Sequence, residues 1–192
     1  MPRPKEFDPD IALEKAMKLF WEKGYKASSM TDLVEHTGVH RGSLYETFGN
    51  KHDIFLAALK KYGECKEEEL KFLEDAESPL AALRMFFVGA KERIKSGEMA
   101  CGCMAVNSAT EIFGDDKSAH LIINFIMEKA EGVLYKALLK AREKGELNPK
   151  KDPRKLSHYI ATLMTGLMVL VKTNPHHERI DNVIDHILDE LK

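Results

Sequence analysis

The feature that most limits what this chain can fold into is the spacing of its apolar residues. They recur every three or four positions from Ile11 to Leu191, with no sustained alternation and no Asn-Gly or Asp-Gly turn between β-branched runs. A period near 3.6 stacks such residues on one face of a helix, whereas a half-buried strand needs a period of two. The chain is therefore expected to be all-α. Its last segment is the cleanest case: Ile180, Val183, Ile184, Ile187, Leu188 and Leu191 form one narrow stripe.

Cap and stop residues divide this pattern. Asp8 or Asp10 is placed to start a helix carrying Ile11, Leu13, Ala16, Met17 and Phe20, with Gly24 as its stop. Ser29 with Asp32 fits a capping box for a short helix ending near His36. Thr37-Gly38-Val39 breaks it, and a second short helix spans about residues 40–47. Phe48-Gly49-Asn50 ends that one, and Asn50 caps a long helix through Ile54, Phe55, Ala58, Leu59 and Tyr62. Further helices follow: one after Ser78-Pro79, one over residues 101–113, a long one from Asp115 or Asp116 to about Gly145, and two over 154–172 and 176–191, broken at Asn174-Pro175.

Composition excludes several classes. At 44% hydrophobic and 31% charged residues, the 192-residue chain can bury a sizeable core and is neither disordered nor collagen-like. The net charge of −2 means that any nucleic-acid contact must come from a local patch. Cys65, Cys101 and Cys103 are an odd set that suggests no disulfide framework, so a reducing compartment and a cytoplasmic location are expected. The longest strongly apolar run, Ile160 to Val171, is too short to span a bilayer, and no signal-peptide pattern opens the chain.

Two short helices joined by a tight Gly turn describe a helix-turn-helix unit, in which the first helix braces a second that enters the DNA major groove. Leu33 and Val34 face the core from the first, Val39 fills the turn and Leu44 anchors the second. His40, Arg41, Ser43 and Thr47 are left outward, and Gly42 permits close approach. Residues 24–55, GYKASSMTDLVEHTGVHRGSLYETFGNKHDIF, closely resemble the N-terminal domain of the TetR/AcrR family of transcriptional regulators. The resemblance rests on Gly24-Tyr25, Ser28-Ser29, Asp32-Leu33, Thr37-Gly38-Val39, Arg41-Gly42-Ser43-Leu44-Tyr45, Phe48 and Lys51. It implies phosphate contacts from Ser28, Ser29, Tyr45 and Lys51, and a recognition helix presenting Arg41, Gly42 and Ser43. His40 stands where the family often has a small cap, and Glu46-Thr47 replaces an aromatic or His pair. Glu46 is expected to point away from phosphate, and His36 and His52 to be solvated.

What the resemblance implies for the whole chain is an all-α fold in two parts. Residues 1–62 would be a three-helix DNA-binding head, continuous with a larger helical ligand-binding and dimerisation domain at 63–192. The last two helices would form a homodimer interface, with Ile184 and Ile187 in it, matched to a palindromic operator on double-stranded DNA. Function would be ligand-responsive regulation, most often repression. Met85, Phe86, Phe87, Met104, Phe113, Phe125 and Met127 suggest an adaptable lining for a small, largely apolar effector. Asn107 with Glu111, and His120 with Asn124, are pairs four apart that would supply polar anchors. Cys101 and Cys103 are too close for an easy mutual disulfide and too narrowly spaced for a usual metal pair. They are read as buried thiols, with a thiol sensor of oxidants or electrophiles as the alternative. Gly102 to Glu111 resembles a helix-packing run of some TetR-like C-terminal domains. A helical-bundle enzyme using Glu111 with His120, or a Cys nucleophile, is the rival of another class. No triad, metal motif or phosphate loop supports it, so no catalytic residue, cofactor or metal is expected.

Overall fold

The computed structural model describes residues 7–112, 116–173 and 176–192. Phe113, Gly114, Asp115 and the Asn174-Pro175 break lie outside them. Among the described residues there is no strand. The helices are α1 (Pro9–Lys23), α2 (Met30–Thr37), α3 (Arg41–Phe48), α4 (Lys51–Leu70), α5 (Phe72–Asp75), α6 (Pro79–Lys95), α7 (Met104–Glu111), α8 (Lys117–Glu143), α9 (Pro153–Leu170) and α10 (His177–Glu190), with a 3₁₀ turn at Val171–Thr173.

Local chemistry sets most boundaries. Asp8 caps α1 through the N–H groups of Asp10 and Ile11. Ser29 and Asp32 close a reciprocal capping box on α2, and Asn50 with Asp53 does the same on α4. The α2–α3 turn is made by Gly38 in the left-handed region (φ +74°), beside Thr37, whose hydroxyl donates to the Leu33 carbonyl at 2.6 Å. His40 occupies the α3 cap with no side-chain hydrogen bond to it, as Cys103 does at α7 and His176 at α10.

Two apolar cores are strung along α4. The first joins Ala12, Phe20, Leu33, Leu44, Phe55 and Leu59 of the head, and it also takes Met104 and Ala105 from α7 and Ala119, Ile123 and Ile126 from α8. The second gathers Leu73, Leu83 and Phe87, the C-terminal half of α8, and α9 and α10. The head is thus completed by residues more than forty positions downstream of Tyr62. Two expectations change here. Ile11 is 55% exposed; the inward stripe of α1 runs instead through Ala12, Ala16, Leu19 and Phe20. Ile180, Ile184, Ile187 and Leu191 are buried within their own chain, so the centre of the α10 stripe is core, with Val183 and Leu188 half-buried at its margins. Their helix packs on α6, flanked by Lys91–Asp185 (2.8 Å) and Lys95–Asp181 (2.7 Å) ion pairs. Within Pro153–Thr173 an 18-residue window reaches a mean hydropathy of 1.2, so by length and composition this helix is long and apolar enough to cross a membrane, unlike the twelve-residue run alone. Core helices of globular proteins meet the same measure, and this one packs mainly against α8.

Candidate DNA interface and effector cavity

α3 presents its outer face to solvent. His40, Arg41, Gly42 and Tyr45 are exposed, Ser43 and Thr47 are half-buried, and Glu46 is exposed beside them. The Arg41 guanidinium lies 5.7 Å from the Tyr45 ring centre, and its Nη2 donates to the Tyr45 hydroxyl at 3.4 Å. One helical turn separates the two residues, so they form a single aromatic-cationic patch. A Cβ at Gly42 would meet nothing within 4 Å, which leaves the surface open there.

The expected phosphate ligands outside α3 are used differently. Ser28 is 3% exposed, and its hydroxyl donates to the Gly24 carbonyl at 2.6 Å, because the turn between α1 and α2 folds over it. The Lys51 ammonium donates to the Ser28 carbonyl and sits 4.4 Å from the Tyr25 ring centre. Ser29 is exposed but spends its hydroxyl on Asp32, which Lys23 also meets at 2.7 Å. The Lys23 and Ser29 hydrogen bonds hold the Asp32 carboxyl far below the usual carboxylate range. These groups build the loop that carries α2: Ser28 is spent inside it, the Ser29 hydroxyl would have to leave Asp32 to meet a phosphate, and Lys51 gives one of its three N–H bonds to Ser28 and keeps two. His52 is not a free surface group either: it pairs with Asp116, the cap of α8, at 2.6 Å. Thr31, two residues after the Ser29 cap in the first turn of α2, is also exposed.

A cavity of about 370 Å³ opens between α4, α6, α7, α8 and α9. Its apolar lining includes Phe86, Met99, Val106, Met127, Leu134 and Met168. The polar lining includes the Tyr62 hydroxyl, which donates to Cys103 Sγ at 3.2 Å, and a Lys66–Glu69–Arg93 cluster with an Arg93–Glu69 distance of 2.7 Å. Burial, followed by the neighbouring Cys103, drives the Tyr62 phenol well above its ordinary value, so it remains a hydroxyl. Burial opposes ionisation of Glu69, but hydrogen bonds from Lys66 and Arg93 outweigh it and lower the carboxyl.

Of the expected effector residues, the structure brings Phe86 and Met127 to this cavity; Cys103, expected as a buried or redox-sensing thiol, lines it too. Phe87 is fully buried in the second core and Met104 in the first. Asn107 faces the wrong backbone to line it: its amide donates to the Cys101 carbonyl at 2.8 Å. Glu111 reaches the head instead, accepting the N–H groups of Tyr25 and Lys26 at 2.9 and 2.6 Å. His120 and Asn124 lie on α8 away from the cavity lining, and Met85 is 73% exposed. Phe125, 57% exposed, borders a separate groove of about 460 Å³ between α4 and α8. The residues missed are Tyr62, Lys66 and Glu69, whose spacing of four and three puts them on one face of α4 and was the available signal, and Arg93 of α6, which no local spacing links to them. Cys101 and Cys103 are half-buried free thiols in front of α7 rather than within it. Among the described residues, no group of three His, Cys, Asp or Glu side chains is placed to hold a metal ion.

Comparison with known proteins agrees with this layout. Residues 12–58 match the family described as bacterial regulatory proteins, tetR family, and residues 79–187 match the tetracyclin repressor-like C-terminal domain. The chain is 33% identical over 193 residues, and over the full length of both chains, to the uncharacterized HTH-type transcriptional regulator YezE of Bacillus subtilis. It is 32% identical over 181 residues to the HTH-type transcriptional repressor ComR of Escherichia coli, covering 93% of this chain and 86% of ComR. A cysteine-substituted form of the TetR family regulator CifR, solved with 26-base-pair operator DNA, superposes with a TM-score of 0.80 at 26% identity, over 97% of this chain and 98% of that one. Exposed recognition helix, matching head and matching C-terminal domain lead to one assignment: the chain belongs to the tetR family of bacterial regulatory proteins.

Proposed function

We propose that this regulator is a repressor that binds a palindromic duplex operator as a homodimer and leaves it when a small molecule fills the α4–α9 cavity. In this reading residues 1–62 bind DNA and residues 63–192 hold the effector and the partner. The protein works in the cytoplasm, without a cofactor and without catalysing a reaction. The observation that carries the proposal is the exposed Arg41–Tyr45 patch on α3, seated on a head whose core is continuous with the cavity walls. Arg41 and His40 are the candidates for reading base edges, Gly42 and Ser43 for close approach, and Tyr45, Thr47, Ser29 and Thr31 for the phosphate flanks. Ser28 holds the α1–α2 loop, and Lys51, which ties that loop to α4 through one N–H, keeps two more for a phosphate.

The effector that fits best has an apolar body against Phe86, Met127 and Met168, and one polar group toward Tyr62, Lys66 and Arg93. The partner face falls to the outward side of α9, where Tyr159 is 38% and Val169 is 47% exposed. Selection of duplexes from a random pool, followed by gel shift, tests the DNA claim. The enriched sequences should be inverted repeats, and Arg41→Ala should weaken binding to them about 5- to 150-fold while relaxing choice at particular bases. Enrichment of no sequence over random DNA would overturn the reading, and an equal loss on specific and random DNA would make Arg41 a phosphate contact.

A further inference from the structure

α7 is eight residues long, about 12 Å, and it is fastened to the head at both ends. At its N-terminal end Gly102, Cys103, Ala105 and Val106 line the cavity. There the Gly102 carbonyl accepts the Trp21 indole N–H of α1 at 3.2 Å, and Cys103 Sγ accepts the Tyr62 hydroxyl of α4 at 3.2 Å. At its C-terminal end Glu111 spreads both carboxylate oxygens over two successive backbone N–H groups, Tyr25 at 2.9 Å and Lys26 at 2.6 Å. Those N–H groups belong to the loop between α1 and α2. Consecutive backbone N–H groups in a turn make a concavity for an anion, and Glu111 fills it from a distant part of the chain. Gly24 leaves the space: a Cβ there would stand 3.0 Å from Glu111 Oε2. The same loop continues through Ser28, bonded to Gly24, to the Ser29 cap of α2, on which α3 packs.

We infer that Glu111 is a positioning residue that reports the state of the cavity to the helix-turn-helix unit. The inference rests on the cavity being the effector site. An occupant that displaces the N-terminal turn of α7 moves the rod as a unit and draws the carboxylate off Tyr25 and Lys26. This releases the loop that sets the angle of α2 and α3. The route runs from α7 straight to the bracing helix and does not require α4 to move. A carboxylate that only braced the loop would contribute to stability but would not change the response to an occupant.

N-ethylmaleimide attached to Cys103 is the probe, used on full-length protein carrying Cys65→Ser and Cys101→Ser, with attachment checked by mass spectrometry and folding by circular dichroism. Two quantities are read: affinity for the selected duplex, and hydrogen exchange at residues 24–30. With Glu111 present, alkylation should lower affinity at least tenfold and speed exchange at residues 24–30. With Glu111→Gln, exchange there should be fast before alkylation, and alkylation should change affinity less than threefold. Asn107→Ala, on the same helix but without contact to the head, should keep the full response. If Glu111→Gln does not fold, Glu111→Asp, which keeps the charge but is too short to span both N–H groups, should show the same reduced response. A full alkylation effect in the position-111 variant overturns the role of Glu111 and leaves the cavity reading standing. No effect of alkylation on affinity with Glu111 present overturns the cavity reading, and the route with it.

Discussion

Gly102 is the position where the cavity wall depends most sharply on the absence of a side chain. Its φ is +68°, and a Cβ built on it would stand 2.5 Å from the Met168 carbonyl oxygen of α9. Gly38 is a natural control, with φ +74° and nothing within 4 Å of the same hypothetical atom. Left-handed backbone costs an L-residue about 1–2 kcal/mol, offset by about 0.4–1 kcal/mol because alanine restricts the unfolded chain. Gly38→Ala should therefore cost roughly 0–1.6 kcal/mol. Gly102→Ala carries the same backbone term plus about 1–3 kcal/mol for forcing α7 away from α9, an overpacking cost. Its total loss is about 1–4.6 kcal/mol, a large share of a typical stability of about 5–15 kcal/mol. Urea unfolding by circular dichroism, at one protein concentration because association adds to apparent stability, measures both. The single tryptophan, Trp21, bonds to the Gly102 carbonyl, so its fluorescence should shift in the folded Gly102→Ala protein and not in Gly38→Ala. Losses equal within about 0.5 kcal/mol would refute the argument that close approach to α9 selects glycine at 102.

Ile187→Asp should abolish folded protein, because it strands a charge in the chain's own core at a cost of about 3–5 kcal/mol, whereas Val169→Asp should keep its helicity and convert dimer to monomer. Light scattering with circular dichroism separates the two; a well-folded monomer from Ile187→Asp would return the α10 stripe to the interface. The Asp32 carboxyl is depressed in the folded state by Lys23 and Ser29, so its stabilisation is present above the ordinary carboxylate pKa of about 4 and fades as pH falls through the folded value. The stability gap between the unmodified protein and Asp32→Asn should accordingly narrow between pH 5 and pH 2, and a gap that widens on acidification would contradict the assignment.

Local signals made the head legible from residues alone. Ser29 with Asp32, Asn50 with Asp53, and Gly38 between two short apolar patterns act within four residues of themselves, so neighbours along the chain suffice to reveal them. The same holds for Leu33, Val39 and Leu44, which are buried as the turn geometry requires. Hydrophobic period, however, says that a face is covered and not what covers it. The α10 residues do form a stripe, yet α6 of the same chain lies over it, while α9 leaves Tyr159 and Val169 outward. Polar roles were decided later still. Glu111 and Asn107 do sit on one helix, but the groups they meet, the Tyr25 and Lys26 N–H groups and the Cys101 carbonyl, are exposed or withheld only once the loops are in place. Lys66, Glu69 and Arg93 show the same limit. Lys66 and Glu69 are three apart on α4, a pair that spacing can reveal, but Arg93 joins them from α6 only through long-range packing.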